Sequence, residues 1–438
     1  MLKGFARAAA LVASLIIAMP AAAQDREADA QAVVAIWYKL MLELVRHTPT
    51  YTPPVAARTF GYVGVTAYES VASGDENMTS LAGQLNGFEA VPARDTAQTY
   101  DDAVILQASL STVVGELFFN TGPTGQRALE AITTKYNERV AEGVDADVAE
   151  RSRAYGEAVA AHIMAWSSTD GGAVIENLGF PESHTVSTKP GAWVPTNLIV
   201  LQQKPLLPNW GSNRPFAMPI GSACPLPAPT EYSEDPNSAF YAEALEVANT
   251  VKNLTPEQEL IARFWSDDAM LSNTPPGHWI AIANQIIEAD KIDLQRSVDV
   301  LARLGIAVAD GFIGCWHEKY RHDLLRPLTY INKHIDPKWK ALLITPPFPE
   351  YPSGHSTQSG AAATVLTAVL GDNYAFEDFS QMPDGFPSRK FTSFWNAADE
   401  AGISRLYGGI HFMPAIKLGL EQGRCIGEYA ANLKTFKS

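Results

Sequence analysis

The chain has 438 residues, of which 46% are hydrophobic, and a formal net charge of −15 at neutral pH. An acidic surface of this kind argues against nucleic acid or an anionic membrane as a partner. The length allows either one large core or two smaller ones.

Residues 1–23 have the pattern of a secretory signal peptide. A short basic stretch precedes an apolar run over residues 8–19, and the small residues 21–23 match a signal peptidase site. The run is shorter than the roughly 20 apolar residues that a membrane span needs. We therefore predict cleavage near Gln24, a periplasmic or secreted protein, and no membrane association after cleavage.

The first part of the mature chain has helical periodicity. Apolar residues recur at spacings of three and four, with charged residues on the opposite faces. Predicted helices cover residues 29–47, 55–73, 98–119, 123–142 and 146–168. We assign residues 24–170 to an N-terminal helical half.

Residues 171–237 are rich in glycine, proline and tryptophan and show little periodicity, which predicts an irregular connecting segment. Helical patterns return in residues 238–438, the C-terminal half. They predict helices at 238–252, 255–268, 276–289, 293–325, 354–370, 389–407 and 414–434. The pattern predicts an all-α fold of two packed helical bundles joined by the irregular segment.

The three cysteines, Cys224, Cys315 and Cys425, form no Cys-x-x-Cys pair, so a zinc ribbon and a dithiol redox motif are excluded. An oxidising compartment would allow one disulfide, and the sequence does not give its pairing. Because Cys315 and Cys425 lie in helical patterns, we interpret both as small buried hydrophobic residues.

The first of three chemistry-bearing motifs is Lys319, six residues and then Arg326-Pro327. Seven residues is close to two helical turns, so an unbroken helix would project both cations from one face. Pro327 discourages helix at Arg326 and is expected to end the helix there. Taken alone, two solvated charges on an amphipathic helix explain this motif equally well.

The second motif, Pro352-Ser353-Gly354-His355, precedes an apolar helical run. Ser353 is a good N-cap, and an anion there would meet its hydroxyl, the Gly354 amide and the positive end of the helix dipole. Glycine also lets the backbone approach a ligand closely. The motif therefore predicts an anion site at a helix start.

The third motif is Ser404-Arg405, followed by Gly408-Gly409 and His411. In an unbroken helix, Arg405 and His411 would point about 120° apart. The two glycines are expected to interrupt the helix, which would let the histidine turn toward the same pocket as the arginine.

In this order the three motifs resemble the superfamily that joins type 2 phosphatidic acid phosphatases, bacterial acid phosphatases and vanadium-dependent haloperoxidases. Vanadate and phosphate share shape and charge, so these motifs alone do not separate phosphatase from haloperoxidase. Trp316 and the stretches 264–268, 274–276 and 346–351 look like the vanadium haloperoxidases, especially the secreted bacterial ones. The resemblance covers roughly residues 255–430 and implies a fold like that of vanadium chloroperoxidase.

By this resemblance, His411 would bind vanadium through a ring nitrogen and His355 would handle the proton when peroxide binds, so both would be catalytic. Trp316 and Phe348 would line the halide side of the pocket, and Asp268 would brace the last arginine. The residues that would hold the vanadate oxygens are Lys319, Arg326, Ser353, Gly354 and Arg405. Phosphate could occupy the same site.

The resemblance also implies the reactants: hydrogen peroxide, a halide ion and a small organic acceptor. The halide, whether chloride, bromide or iodide, stays open, and so does a homodimer. Two alternative functions also stay open. One is a periplasmic acid phosphatase, with His411 as the nucleophile and His355 as the acid for the leaving group; the other is a non-catalytic oxyanion-binding protein.

One position departs from the family pattern. The family often has an aspartate four residues after the last histidine, and here that position is Ala415. An acid there would orient and polarise His411. Its replacement predicts either weaker vanadate binding or a backbone carbonyl in that role.

Overall fold

The computed structural model describes residues 21–173, 185–196 and 204–437. The predicted leader lies outside these ranges except for residues 21–23, which begin the first helix. No helix in the described ranges is long and apolar enough to cross a membrane.

The N-terminal half contains five helices, each within a few residues of its predicted bounds except the first, which begins eight residues earlier. Pro53 and Pro123 open α2 and α4 at the first helical position, where the missing N–H is harmless. Asp101 and Asp145 cap α3 and α5 by accepting backbone N–H groups. The helices are α1 (Ala21–His47), α2 (Pro53–Ala72), α3 (Asp102–Leu117), α4 (Pro123–Ala141) and α5 (Ala146–Ser167).

The C-terminal half contains eight further helices and a small antiparallel hairpin in which Phe376 pairs with Phe391. The helices are α6 (Ala239–Lys252), α7 (Pro256–Phe264), α8 (Thr274–Asp290), α9 (Leu294–His322), α10 (Pro327–His334), α11 (Gly354–Leu370), α12 (Phe394–Tyr407) and α13 (Met413–Ala431). The strands are β1 (Phe376–Asp378) and β2 (Arg389–Phe391). The all-α prediction is confirmed, and the hairpin is a minor addition to it.

The bounds of three predicted helices were wrong. The helix predicted at 255–268 ends at Phe264, and β2 occupies the start of the helix predicted at 389–407. The helix predicted at 293–325 ends at His322, because Asp323 adopts a left-handed conformation with φ of 49°. Arg326 is therefore outside α9, and the prediction that it shares a helical face with Lys319 is wrong.

Pro327 begins a helix that the sequence did not predict. Arg326 has an extended backbone, as expected before proline, and serves as the N-cap of α10. Pro327 then supplies the first helical residue. The sequence pattern had indicated only that this proline ends the preceding helix.

The two helical halves share a continuous hydrophobic core. Nearly the whole of α2 is buried, and it packs along α9, the long central helix. The same core reaches α8, α11 and α13. The boundaries 24–170, 171–237 and 238–438 stay a prediction, since the packing itself does not divide the chain there.

The connecting segment is irregular where the structure describes it, apart from a single 3-10 turn at Trp210–Ser212. Asp310 of α9 anchors it by accepting the backbone N–H groups of Phe216, Ala217 and Met218 at 2.6, 2.8 and 2.7 Å. A buried carboxylate thus compensates donors that the irregular backbone leaves unpaired.

A disulfide joins Cys224 of this segment to Cys425 of α13. The interpretation of Cys425 as a simple buried hydrophobic residue is therefore wrong. Cys315 carries the free thiol and is buried in α9, as expected. The disulfide ties the segment to the helix that follows His411.

Helices α11 and α13 approach each other at backbone distance. A Cβ placed on Gly423 would lie 2.1 Å from the carbonyl oxygen of Thr357, so only glycine fits. This contact fixes the start of α11 relative to the loop before α13. Two of the three motifs lie at those positions.

Candidate active site

The three motifs meet in one buried site between α9, α11 and α12. Lys319, Arg326, Ser353 and Arg405 are each at most 1% exposed. His411 is 2% exposed and lies in the loop between α12 and α13. The predicted cation cradle is thus assembled from residues almost a hundred positions apart in sequence.

The ammonium group of Lys319 contacts three backbone carbonyls in the approach to α11. Nζ donates to the oxygens of Pro349 and Glu350 at 3.0 Å each and to that of Pro352. Burial, together with the charge of nearby Arg326, lowers the pKa of Lys319 to about 7. An anion beside this lysine would favour its charged form.

Arg326 is held by backbone carbonyls and faces His411. Its Nε donates to Phe348 and one terminal nitrogen donates to Ile410, both at 3.0 Å. The same nitrogen lies 3.0 Å from His411 Nε2. The other terminal nitrogen, Nη2, is buried and has no hydrogen-bond partner among the described residues. Burial lowers the pKa of Arg326 to about 10.

Ser353 and Gly354 form the start of α11, as predicted. The Ser353 hydroxyl accepts the backbone N–H of Ser356 at 3.3 Å and so caps the helix. A Cβ on Gly354 would touch Trp316, Cys315 and Lys319 at 3.8 to 3.9 Å, so a side chain there would fill space beside the lysine. The glycine leaves the first amides of the helix open to a ligand.

Arg405 is fixed by oxygen acceptors from two elements. Its Nε donates to the hydroxyl of neighbouring Ser404 at 3.0 Å, and Nη2 donates to the carbonyl of Trp265 at 2.7 Å. Asp267 and Asp268 act on it through charge, and both oppose the fall in pKa that burial causes, leaving that pKa at about 10. Asp268 makes no hydrogen bond or ion pair with Arg405 among the described residues and acts on it through charge, so its bracing role stays a prediction.

His411 owes its orientation to Glu350, a residue that lies outside the three sequence motifs. Its Nδ1 lies 2.8 Å from Glu350 Oε1, which also accepts the Phe412 amide at 2.9 Å. Glu350 is fully buried. A carboxylate here, rather than at position 415 or on a backbone carbonyl, supports the Nδ1–H tautomer and leaves the Nε2 lone pair facing the cations.

Burial and the surrounding charges keep the ring of His411 neutral. Burial lowers the pKa of His411 well below its ordinary value, and Arg326, Lys319 and Arg405 lower it further. Burial also raises the pKa of Glu350 to about 7, against the opposing effect of Arg326. A neutral imidazole is the form that binds a metal.

His355 follows Gly354 and lines the same cavity. Its Nε2 is buried, has no hydrogen-bond partner among the described residues and lies 4.0 Å from Asp267 Oδ2. Burial lowers its pKa well below the ordinary value, and the charges of Arg405 and His278 add to this effect. The ring is therefore neutral and can accept a proton.

An aromatic wall covers one side of the cations. The rings of Trp316 and Phe348 lie 4.8 Å apart, and the ring of Phe348 is within 5.1 Å of both Lys319 Nζ and the Arg326 guanidinium. Leu206 of the connecting segment completes this wall through its backbone. Its carbonyl accepts from Trp316 Nε1 at 3.2 Å and from the Tyr320 hydroxyl at 2.6 Å.

A cavity of about 440 Å³ leads from the surface to this site. At its inner end lie Gly354, His355, Arg405 and His411. Its rim includes Met270, Leu271 and Ile344, which are 51%, 69% and 56% exposed. The cavity thus joins a charged floor to an apolar mouth.

The donor set fits a tetrahedral oxyanion. It offers three cations, the N-terminus of α11 and an imidazole nitrogen, and the buried Nη2 of Arg326 lacks a partner of its own. A shared oxyanion would offset the desolvation of these groups, which is expensive when it is uncompensated. A phosphate or a vanadate meets this requirement equally well.

Comparison with known proteins identifies the family of the chain. A family model described as the VCPO second helical-bundle domain matches residues 299–436. The vanadium chloroperoxidase of Curvularia inaequalis is 25% identical over 247 residues, which are 42% of this chain and 40% of that protein. The match thus spans less than half of that curated relative.

The crystal structure of the first bacterial vanadium-dependent iodoperoxidase is 38% identical to this chain. The match covers 93% of this chain and 97% of the iodoperoxidase chain, with a TM-score of 0.83. This chain belongs to the vanadium-dependent haloperoxidases. The crystal structure of a holo-type bacterial vanadium-dependent chloroperoxidase is 16% identical to this haloperoxidase, with a TM-score of 0.66. The match covers 89% of this haloperoxidase and 93% of the chloroperoxidase chain. At this level of identity the match supports the fold alone.

Membership of the haloperoxidases accounts for the order of the three motifs. The acid phosphatase and the non-catalytic binding protein, the two alternatives that the motifs left open, are not favoured. What the sequence did not predict is the support around the histidines, namely Glu350, Asp267 and His278. A single acid between prolines and aromatic residues at 346–351 was the one available signal for Glu350.

Proposed function

We propose that this haloperoxidase uses bound vanadate and hydrogen peroxide to oxidise iodide to hypoiodous acid. The observation that carries the proposal is His411, a neutral imidazole fixed by Glu350 and surrounded by Lys319, Arg326 and Arg405. Such a ring is a metal ligand placed within an oxyanion cradle. A nucleophilic histidine in a phosphatase would need the same cradle, and the family relationship favours the peroxidase.

Vanadate fits the residues that surround His411. His411 would bind the metal through Nε2, while the oxygens would be held by Lys319, Arg326, Ser353, Gly354 and Arg405. When bound, the group supplies Lewis-acid activation of hydrogen peroxide toward two-electron oxidation of a halide. The cations of the chain hold its negative charge.

The proposed reaction consumes one proton. Hydrogen peroxide, a halide ion and a proton give hypohalous acid and water, so one peroxide oxygen is transferred and the halide loses two electrons. His355 is neutral at the cavity floor and is suited to hold the proton that leaves peroxide on binding and to return it to the departing oxygen.

Iodide is the halide that we propose. The relative with 38% identity over nearly the whole chain is an iodoperoxidase, whereas the chloroperoxidase structure is only 16% identical. Trp316 and Phe348 would form the halide side of the site, where polarizable rings suit a large soft anion.

A small organic acceptor would meet the hypohalous acid at the apolar mouth formed by Met270, Leu271 and Ile344. We propose a periplasmic or secreted location, which the signal-like residues 1–23 support. The disulfide between Cys224 and Cys425 also supports it, because disulfides persist in oxidising compartments.

The test uses protein stripped of metal and phosphate, assayed with hydrogen peroxide and each halide, with and without orthovanadate. We expect oxidation only with vanadate, fastest with iodide, and its loss in His411→Ala. The matched control is His47→Ala, which removes an exposed histidine and should keep full activity. Hydrolysis of an aryl phosphate by metal-free protein, without halide oxidation, would overturn the proposal. Faster turnover of bromide or chloride would overturn the assignment of iodide alone.

A further inference from the structure

A buried cluster of charged residues lies behind His355, outside the set of residues that would hold the oxyanion. His278 of α8 sits between two carboxylates, with Nδ1 3.0 Å from Asp267 Oδ2 and Nε2 2.8 Å from Asp378 Oδ2. Gln381 donates to Asp267 Oδ1 at 2.8 Å. The side chains of His278, Asp267 and Asp378 are each at most 1% exposed.

The cluster is built from separate elements and ends at the active-site cavity. Asp267 follows α7, His278 belongs to α8, and Asp378 closes strand β1. Of the three, only Asp267 lines the cavity, where its Oδ2 lies 4.0 Å from His355 Nε2. The contacts therefore form a chain from Asp378 through His278 and Asp267 to His355.

The His278 ring is held as a cation. The two carboxylates raise its pKa to about 10, overcoming the opposing effect of burial. Trp265 stacks on the ring with centroids 4.4 Å apart, which fixes its plane. One cation between two carboxylates leaves the cluster with a net negative charge, and Asp267 is the carboxylate that lines the cavity.

The backbone at Asp267 adds an independent sign of constraint. Its φ is +49°, in the left-handed region that side chains other than glycine seldom adopt, although aspartate and asparagine tolerate it best. Unusual backbone of this kind clusters at functional sites. Here it turns the carboxylate toward both histidines.

We propose that Asp267 is a positioning residue for His355, held in place by His278 and Asp378, and that it stabilises the proton His355 takes from peroxide. The inference rests on the proposed function. The proton moves from the peroxide oxygen to His355 and stays on that ring, without passing to Asp267, until His355 returns it to the departing oxygen; the Asp267 carboxylate is already engaged by His278 and Gln381. The other charged groups that face His355 are Arg405, His278 and Lys319, all of which oppose its protonation.

The first test is Asp267→Asn, which keeps the shape and tolerates the backbone conformation but removes the charge. We expect kcat to fall about 10- to 100-fold and the acidic limb of the pH–rate profile to move to lower pH. Vanadate binding should not weaken. Asp267 acts on Arg405 through its negative charge, and the removal of that charge makes the site more favourable for an oxyanion. The matched control is Asp384→Asn, an acid outside the cluster that pairs with Arg46 and should leave kcat unchanged.

A wild-type kcat and an unmoved pH profile in Asp267→Asn would overturn the proposal. The proposal would also be overturned if kcat fell only because the variant bound less vanadate, since that result indicates structural damage. Asp267→Glu keeps the charge and is expected to recover part of kcat; a variant no better than Asp267→Asn would also contradict the positioning role.

The second test needs no vanadate and therefore separates this proposal from the proposed function. Ring-nitrogen NMR of histidine-labelled, metal-free protein should show the imidazolium form of His278 at pH 8. A neutral His278 ring would overturn the proposal even in an active haloperoxidase. If wild-type protein lacks vanadate-dependent activity while His278 is an imidazolium, the failure belongs to the proposed function.

Discussion

At the scale of single residues, the support of His411 shows how a carboxylate can come from an unexpected place in the chain. Position 415 holds alanine, and Ala415 is itself buried in the packing beside Phe412 and Ile416. Glu350 supplies the acid from 61 residues upstream. The carboxylate that contacts His411 therefore comes from a different element than the helix that follows the histidine.

We expect Glu350→Gln to raise the dissociation constant for vanadate about 10- to 100-fold, the usual effect of losing the partner of a ligating histidine. The amide cannot accept from His411 Nδ1–H with the strength of a carboxylate, so the ring loses its fixed tautomer and orientation. Equilibrium dialysis against orthovanadate measures the change.

The control for this substitution is Glu43→Gln, which neutralises a largely exposed acid on α1. It should bind vanadate as the wild type does. Equal affinity in Glu350→Gln and in the control would show that the carboxylate does not support His411.

The residues of the three motifs could be predicted because each motif is local and its order is distinctive. Glu350, Asp267 and His278 could not, since their roles depend on contacts between elements far apart in sequence. Position 267 is beside the predicted Asp268, yet only the left-handed backbone directs its side chain to the histidines.

At the scale of elements, periodicity located most helices, whereas their ends depended on local backbone chemistry. The end of α9 at Asp323 and the short α10 that begins at Pro327 both escaped prediction. Eight residues are too few for a clear period, and proline is equally suited to end one helix or to begin the next.

The close packing of α11 and α13 provides a test at this scale. We expect Gly423→Ala to lower the free energy of unfolding by about 1 to 3 kcal/mol, because the added methyl group would overlap the carbonyl oxygen of Thr357. Vanadate affinity should fall as well, since α11 begins at the cradle and α13 follows His411. Guanidinium denaturation and vanadate dialysis measure the two effects.

Gly115→Ala is the matched control. Gly115 lies within α3, and a Cβ there meets no atom within 4 Å. Alanine should therefore stabilise the protein by about 0.5 to 1 kcal/mol through helix propensity. If Gly423→Ala behaved like this control, the backbone contact between α11 and α13 would not be tight.

At the scale of the whole molecule, the sequence predicted the class of fold and the irregular segment, but it did not predict how closely the halves pack. The buried surfaces of α2 and α9 join them into one core. Helical periodicity shows which face of a helix is apolar. It does not show which other helix covers that face, because this depends on three-dimensional packing.

The disulfide also acts at this scale, because it closes a loop of 201 residues. We expect the double variant Cys224→Ser, Cys425→Ser to lose about 2 to 5 kcal/mol of unfolding free energy, measured by guanidinium denaturation. Alkylation of unfolded protein should modify only Cys315 without reductant and all three cysteines with it. Three modified cysteines without reductant would contradict the pairing.

The backbone bridge at Leu206 has an evolutionary consequence. Its carbonyl holds Trp316 and Tyr320, and its N–H donates to Pro347 at 2.8 Å, so the attachment of the wall does not depend on which side chain residue 206 carries. Leu206 also lines the cavity. Because the anchoring bonds use only the backbone, a substitution at position 206 can change the cavity wall while those bonds persist, which gives natural variation a route to a cavity of different shape.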